Sequence, residues 1–142
     1  MGRHADVVEQ GFEAFNRHDF DVMAELCTPD VEWTPPEELP GSRTYHGVDG
    51  VREAIRDMLD VFPELQAERV ELNEEDDRVV ALYRWHGTGG TMGAAIDAVI
   101  EVRAGGIFEF EGDLIRRARF WTTWEAATEA AERERARQNA GP

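Results

Sequence analysis

Beyond Leu65 the spacing of apolar residues shortens from the three-and-four of a helix to about two, and this change of period decides what the chain can fold into. Ahead of it, Val8, Phe12 and Phe15 repeat at helical spacing over about residues 5–17. Asp19 then caps a short second helix carrying Phe20, Met23 and Leu26, which Thr28-Pro29-Asp30 ends. Residues 31–34 suit a short strand, and the prolines at 35, 36 and 40 impose a loop over 35–41. Val51, Ile55, Leu59 and Phe62 share one face of a third helix over 47–62, stopped by Pro63. Strands are expected near 66–74, 78–87, 94–110 and 114–121, separated by polar or glycine-rich connections. Glu111-Gly112-Asp113 is turn chemistry for the last hairpin, and Thr122 with Glu125 reads as the capping box of a closing helix. Helices first, an antiparallel meander next and a helix last make an α+β fold with helices packed on one sheet face.

The 142 residues predict one domain over 1–142, in which the mixed charges of about 132–142 suggest a solvated helix end or a mobile tail. Thirty acidic residues against 15 basic ones give a net charge of −15, which argues against nucleic acid and anionic membranes as partners. No apolar run approaches the ~20 residues of a spanning helix, and Met1-Gly2-Arg3-His4 leads into no signal-peptide core, so a soluble cytoplasmic protein is expected. Cys27 is the only cysteine, which excludes an internal disulfide and a cysteine metal cluster. Every basic residue is arginine, so neither Schiff-base chemistry nor a Walker-type phosphate loop has its lysine. The sole serine, Ser42, lies outside any G-x-S-x-G elbow. Gly89-Gly90 and Gly105-Gly106 sit in no dinucleotide fingerprint, and the four histidines lack ligand spacing. Neither a cofactor nor a metal is expected.

Four segments, in order along nearly the whole chain, carry a resemblance. They are Ala14-Phe15-Asn16-Arg17-His18-Asp19-Phe20-Asp21, Pro29-Asp30-Val31-Glu32-Trp33, Tyr45-His46-Gly47-Val48-Asp49-Gly50-Val51-Arg52, and the hairpin Glu111-Gly112-Asp113-Leu114-Ile115-Arg116 with Phe120-Trp121 and Glu125-Ala126 beyond it. Together they resemble the NTF2-like superfamily and, within it, the SnoaL-like proteins, which are similar to ketosteroid isomerases and limonene epoxide hydrolases. The resemblance implies a cone: a curved mixed or antiparallel sheet wrapped around three N-terminal helices, plus a C-terminal helix. It also implies a pocket inside the cone, but no single reaction, because the fold hosts isomerases, cyclases, hydrolases, dehydratases and binders.

Carried over residue by residue, the resemblance removes the best-known chemistries. The isomerase base would stand at Trp33 or Thr34, and the protonated acid of its oxyanion hole at Ala104 or Gly106; none of these supplies the group. The epoxide hydrolase element R-x-D matches Arg84-Trp85-His86, and its later Asp matches Arg119. Arg84 is kept and both acids are replaced, leaving His86 as the base within reach of neutral pH and Arg84 and Arg119 as electrophilic partners. On a strand Tyr83 and Trp85 point one way and Arg84 and His86 the other. Hydrophobicity buries the first pair, whereas the resemblance turns the second pair inward. Trp121 matches a cavity-lining Trp of the isomerases, Trp33 reads as an apolar wall, and Tyr45 with His46 ends the proline-rich loop at a pocket mouth; core packing is the alternative for each.

Two functions follow. One is a cofactor-independent isomerase, cyclase or hydrolase of a cyclic or polyketide-like substrate, with His86, Arg84 and Arg119 as catalytic residues and Trp33, Tyr45 and Trp121 binding the ligand. The other is a small-molecule binding or assembly domain that has lost the acids. A homodimer through the outer sheet face is expected in either case.

Overall fold

The computed structural model describes residues 2–39, 42–88 and 99–139. Helix α1 (Arg3–Asn16) buries Ala5, Val8 and Phe15 and ends in a Schellman turn. There the amide of Asp19 reaches the carbonyl of Ala14 at 2.8 Å, with His18 left-handed at φ 59°. Asp19 then accepts from the amide of Val22, so one residue closes α1 and caps α2 (Phe20–Glu25). Strand β1 (Cys27–Thr34) begins four residues earlier than the apolar pattern predicts. Thr28-Pro29-Asp30 is thus strand and not a helix end, and the ladder shifts register between Cys27 and Glu32, where Pro29 has no N–H to give. The two-residue strand β2 (Tyr45–His46) leads into α3 (Gly47–Val61), which stops before Pro63 as expected.

Strands β3 (Gln66–Glu75), β4 (Arg78–Thr88), β5 (Val99–Glu111) and β6 (Leu114–Trp121) form the expected antiparallel meander. The part of the third meander strand expected at 94–98 lies outside the described residues. The β3–β4 and β5–β6 tips are two-residue turns, with Asp76 at φ 43° in the first and Gly112 at φ 61° in the second. β6 pairs in parallel with β1, which makes the six-stranded sheet mixed, open and curved, in the order β2-β1-β6-β5-β4-β3. β3 is one edge, with a register shift between Arg69 and Glu71 that leaves Val70 43% exposed.

The two sheet faces part cleanly. Val79, Ala81, Tyr83, Ala104, Phe108 and Ala118 turn toward α1, α2 and α3 and form the main core with Val8, Phe15, Val51 and Ile55. On the opposite face Val80, Ile107 and Trp121 meet Ala130 and Ala131 of α4 (Trp124–Asn139). Residues 132–139, expected as a solvated helix end or part of a mobile tail, are the last two turns of α4. Thr123, not Thr122, caps this helix by accepting from the amide of Ala126, which moves Glu125 out of capping-box register; Thr122 instead donates to Glu38. Gly105 makes the seat close: a Cβ there would collide with the methyl group of Ala127. α4 therefore occupies the middle of the face expected to pair two subunits.

Candidate functional site

The helix-covered face of the sheet carries a continuous run of rings. Trp33 of β1 lies 4.9 Å from Phe120 of β6, and Phe120 meets Phe108 of β5 edge-on at 5.6 Å. Phe108 and Tyr83 both contact Phe12 of α1, at 6.3 and 5.0 Å, and Trp85 joins Tyr83 to Phe15 at 5.3 and 5.0 Å. The run follows from strand alternation, which sends Tyr83 with Trp85 and Phe108 with Phe110 to one side, and from the helical spacing of Phe12 and Phe15. Gly106 lets the rings meet, because a Cβ there would stand 3.1 Å from Phe120 and 3.2 Å from Phe108. That is also a position where the isomerase resemblance would place an acid, and its surroundings leave no space for one.

Burial is uneven along the run. Tyr83 is 1% exposed and Phe108 is buried, whereas Trp33, Phe12, Trp85, Phe120, Met58, Leu59 and Phe62 pack against the core only half-buried. A titratable group buried within the ring run is the phenol of Tyr83, whose pKa burial pushes well up while a hydrogen bond with the Trp85 side chain works the other way. Tyr83 therefore stays un-ionised at neutral pH. Asn16, also at the core margin, is spent on structure: its carboxamide gives to and takes from the backbone of Ala67 at 2.9 and 2.8 Å.

The candidates from sequence divide between the two faces. Trp33 is in the ring run. Tyr45 pairs with it in the ladder, but its hydroxyl turns to Asp57 of α3 at 3.3 Å and its ring packs under Arg43, while its backbone and Cβ lie against Gly50. Arg84, His86, Arg119 and Trp121 all lie on the other face. Arg84 and His86 share a carboxylate, Glu68, each at 3.7 Å, and the His86 side chain is 47% exposed. Arg119 is held apart from them under α4 by two hydrogen bonds to Glu134, at 2.7 and 2.8 Å, and Trp121 packs with Val80, Ile107 and α4. The orientation drawn from the resemblance is thus reversed on β4: two large aromatics gain more from burial than an arginine and a histidine, and strand alternation carries the polar pair outward. The ring residues Phe12, Phe15, Tyr83, Trp85, Phe108 and Phe120 are not among the candidates from sequence, although the helical spacing of Phe12 and Phe15 and the burial of Tyr83 and Trp85 are legible there. Among the described residues no group of three or more His, Cys, Asp or Glu is placed to hold a metal. None of the described helices is long and apolar enough to cross a membrane.

Comparison with known sequences adds the family, since the SnoaL-like domain model matches residues 8–118. The chain belongs to the SnoaL-like domain family. A search of curated proteins gives no match. Among solved structures, this SnoaL-like domain is similar to an NTF2-like protein of unknown function from Burkholderia pseudomallei, at 23% identity over 93% of this chain and 97% of that one, with a TM-score of 0.76. It is also similar to TerC co-crystallized with polyporic acid, at 18% identity over 90% of this chain and 97% of that one, with a TM-score of 0.75. A protein from Xanthomonas campestris pv. campestris, provisionally named a polyketide cyclase, shares 22% identity over 87% of this chain and 93% of that one, with a TM-score of 0.73. These likenesses establish the NTF2-like fold.

Proposed function

We propose that this SnoaL-like domain binds a planar, apolar small molecule, cyclic or polyketide-like, against Trp33, Phe120 and Trp85, and holds it without a resident acid–base pair. The carrying observation is the ring run itself, deeply buried at Tyr83 and Phe108 and half-open at Trp33, Phe120 and Trp85. Rings offer large contact area at low entropic cost and favour ligands that stack. The polyporic acid complex of TerC and the cyclase name of the Xanthomonas protein support the same ligand class. Titration with a hydroxyanthraquinone, followed by indole emission, tests the reading: saturable quenching that weakens at least tenfold in Trp33→Ala and Phe120→Ala is expected. Quenching that never saturates, or that both variants retain, would overturn it.

A second reading, proton-transfer catalysis as in a cyclase or isomerase, is favoured by one group. The neutral phenol of Tyr83 is a hydrogen-bond donor inside an apolar enclosure, where such a donor polarises a carbonyl most strongly. In this reading Tyr83 replaces His86 as the group that meets the substrate. Product analysis after incubation with polyketide-derived ketones, compared between wild type and Tyr83→Phe, separates turnover from binding.

A further inference from the structure

We propose that α4 is a charge-latched strap: it leaves the sheet as one unit, with the helix-wrapped core intact, when Glu134 loses its charge or its arginine partners.

The apolar grip of α4 is slight. Beyond Trp124 its buried residues are alanines: Ala127, fully buried, and Ala131, with Ala130 partly buried beside them. Ala130 and Ala131 offer methyl groups to Val80, Ile107 and Trp121, and Ala127 sits over Gly105. By contrast α1 and α3 anchor themselves with Val8, Phe12, Phe15, Ile55 and Met58. Beyond its Trp124 anchor, a helix that buries only methyl groups needs another source of hold.

Charge supplies it. Glu134 accepts from Arg119 of β6 twice and from Arg78 of β4 at 3.1 Å. Arg78 is 6% exposed, and it also donates to the carbonyl of Ala131 at 2.9 Å and to Glu75 of β3 at 2.9 and 3.1 Å. Arg135, next to Glu134 on α4, reaches the same Glu75. On β5, Glu109 pairs with Arg119 at 3.3 Å, Arg117 at 3.4 Å and Arg116 at 3.2 Å. Glu134 is thus faced from every neighbouring strand: Arg78 on β4, Arg117 and Arg119 on β6, Glu109 on β5 and Glu75 on β3. Three carboxylates face five guanidinium groups, so none of the three is surplus. Neutralising Glu134 takes from Arg119 its two hydrogen-bonded contacts and from Arg78 one of its carboxylate partners, leaving Glu75 and Glu109 against five guanidinium groups, and the under-compensated cations regain hydration if the helix lifts. The inner core contributes nothing to this cluster, so it has no reason to open with it.

Hydrogen exchange of the full chain at neutral pH tests the strap. In Glu134→Gln, the α4 amides beyond Ala127 are expected to exchange at least about tenfold faster than in wild type, while those of Val79–Tyr83 change less than about twofold. An α4 that stays protected, or a β4 that accelerates in step with it, would overturn the proposal. The wild-type chain gives a check that does not depend on a variant folding. As the pH is lowered below 4.5, where Glu134 begins to take up its proton, the α4 amides should lose protection before those of β4, and simultaneous loss would sink the idea.

Discussion

The indole Nε1–H of Trp124 donates to the carbonyl oxygen of Tyr83 across 2.9 Å, so the first residue of α4 is fastened to the backbone of the deepest ring in the interior. Arg84 and Arg103 flank the same indole, with their guanidinium carbons 5.6 and 5.1 Å from its centre. Trp124 therefore joins a core strand to the helix on its other side through one hydrogen bond and two cation–π contacts.

Trp124→Phe keeps a ring between the arginines and removes the donor. Its expected cost is about 1 kcal/mol, the usual net worth of one such bond, read as a lower urea midpoint with an unchanged slope. Trp124→Ala, which also removes the stacking surface, is expected to cost more.

The acid side of the stability profile follows from the carboxylates under α4. Hydrogen bonding from Arg119 holds Glu134 below its ordinary value, against some desolvation. For Glu75, burial pushes upward, but hydrogen bonds from Arg135 and Arg78 outweigh it and the net shift is down. Both groups bind fewer protons folded than unfolded, so their stabilisation is complete above the unfolded value of about 4.3 and is lost as pH falls through the lower folded value. Urea midpoints should be level from pH 7 to pH 5 and drop below pH 4.5, and the drop should be shallower in Glu134→Gln.

Burial pushes the thiol of Cys27 up to about 12, and its Sγ lies 3.5 Å from the carbonyl of Met23. A thiol reagent such as dithionitrobenzoate should therefore label the folded chain far more slowly than the urea-unfolded chain at pH 8, where an exposed cysteine is partly thiolate. Equal rates would show that α2 and β1 open readily around it.

His86 is the residue for which the two views of β4 differ most. With its ring half in solvent beside Glu68, His86→Ala should change stability by no more than about 0.5 kcal/mol and leave anthraquinone quenching unaltered. A large loss of quenching would mean that this face takes part in binding.

Much of the fold is legible in the sequence because its signals are local. The periodicities of Val8 to Phe15 and Val51 to Phe62, the Asp19 cap and the Gly112 turn each act within a few residues. The start of β1 is not legible, since Thr28-Pro29-Asp30 has breaker chemistry and is strand only because β6 pairs beside it. The single-residue shift from Thr122 to Thr123 at the α4 cap is set where β6 ends and by the contact of Thr122 with Glu38, 84 residues away. The site is half legible. Strand alternation limits β4 to two choices, and the choice between them was visible in the greater bulk and apolarity of Tyr83 and Trp85. The resemblance instead favoured Arg84 and His86, because it supplies positions and not the burial of this particular chain. Nothing local predicts that Arg119 meets Glu134, because that pair exists only when α4 folds back over the sheet.

β3 leaves one side of the sheet bare, and its composition decides what can come to rest there. Glu68, Glu71, Glu74 and Glu75 stand along it, and the bulge at Val70 breaks the even rhythm of its amides. Two such borders brought together would set like charge against like charge and offer mismatched donors and acceptors. Such a border disfavours the addition of a further strand along β3.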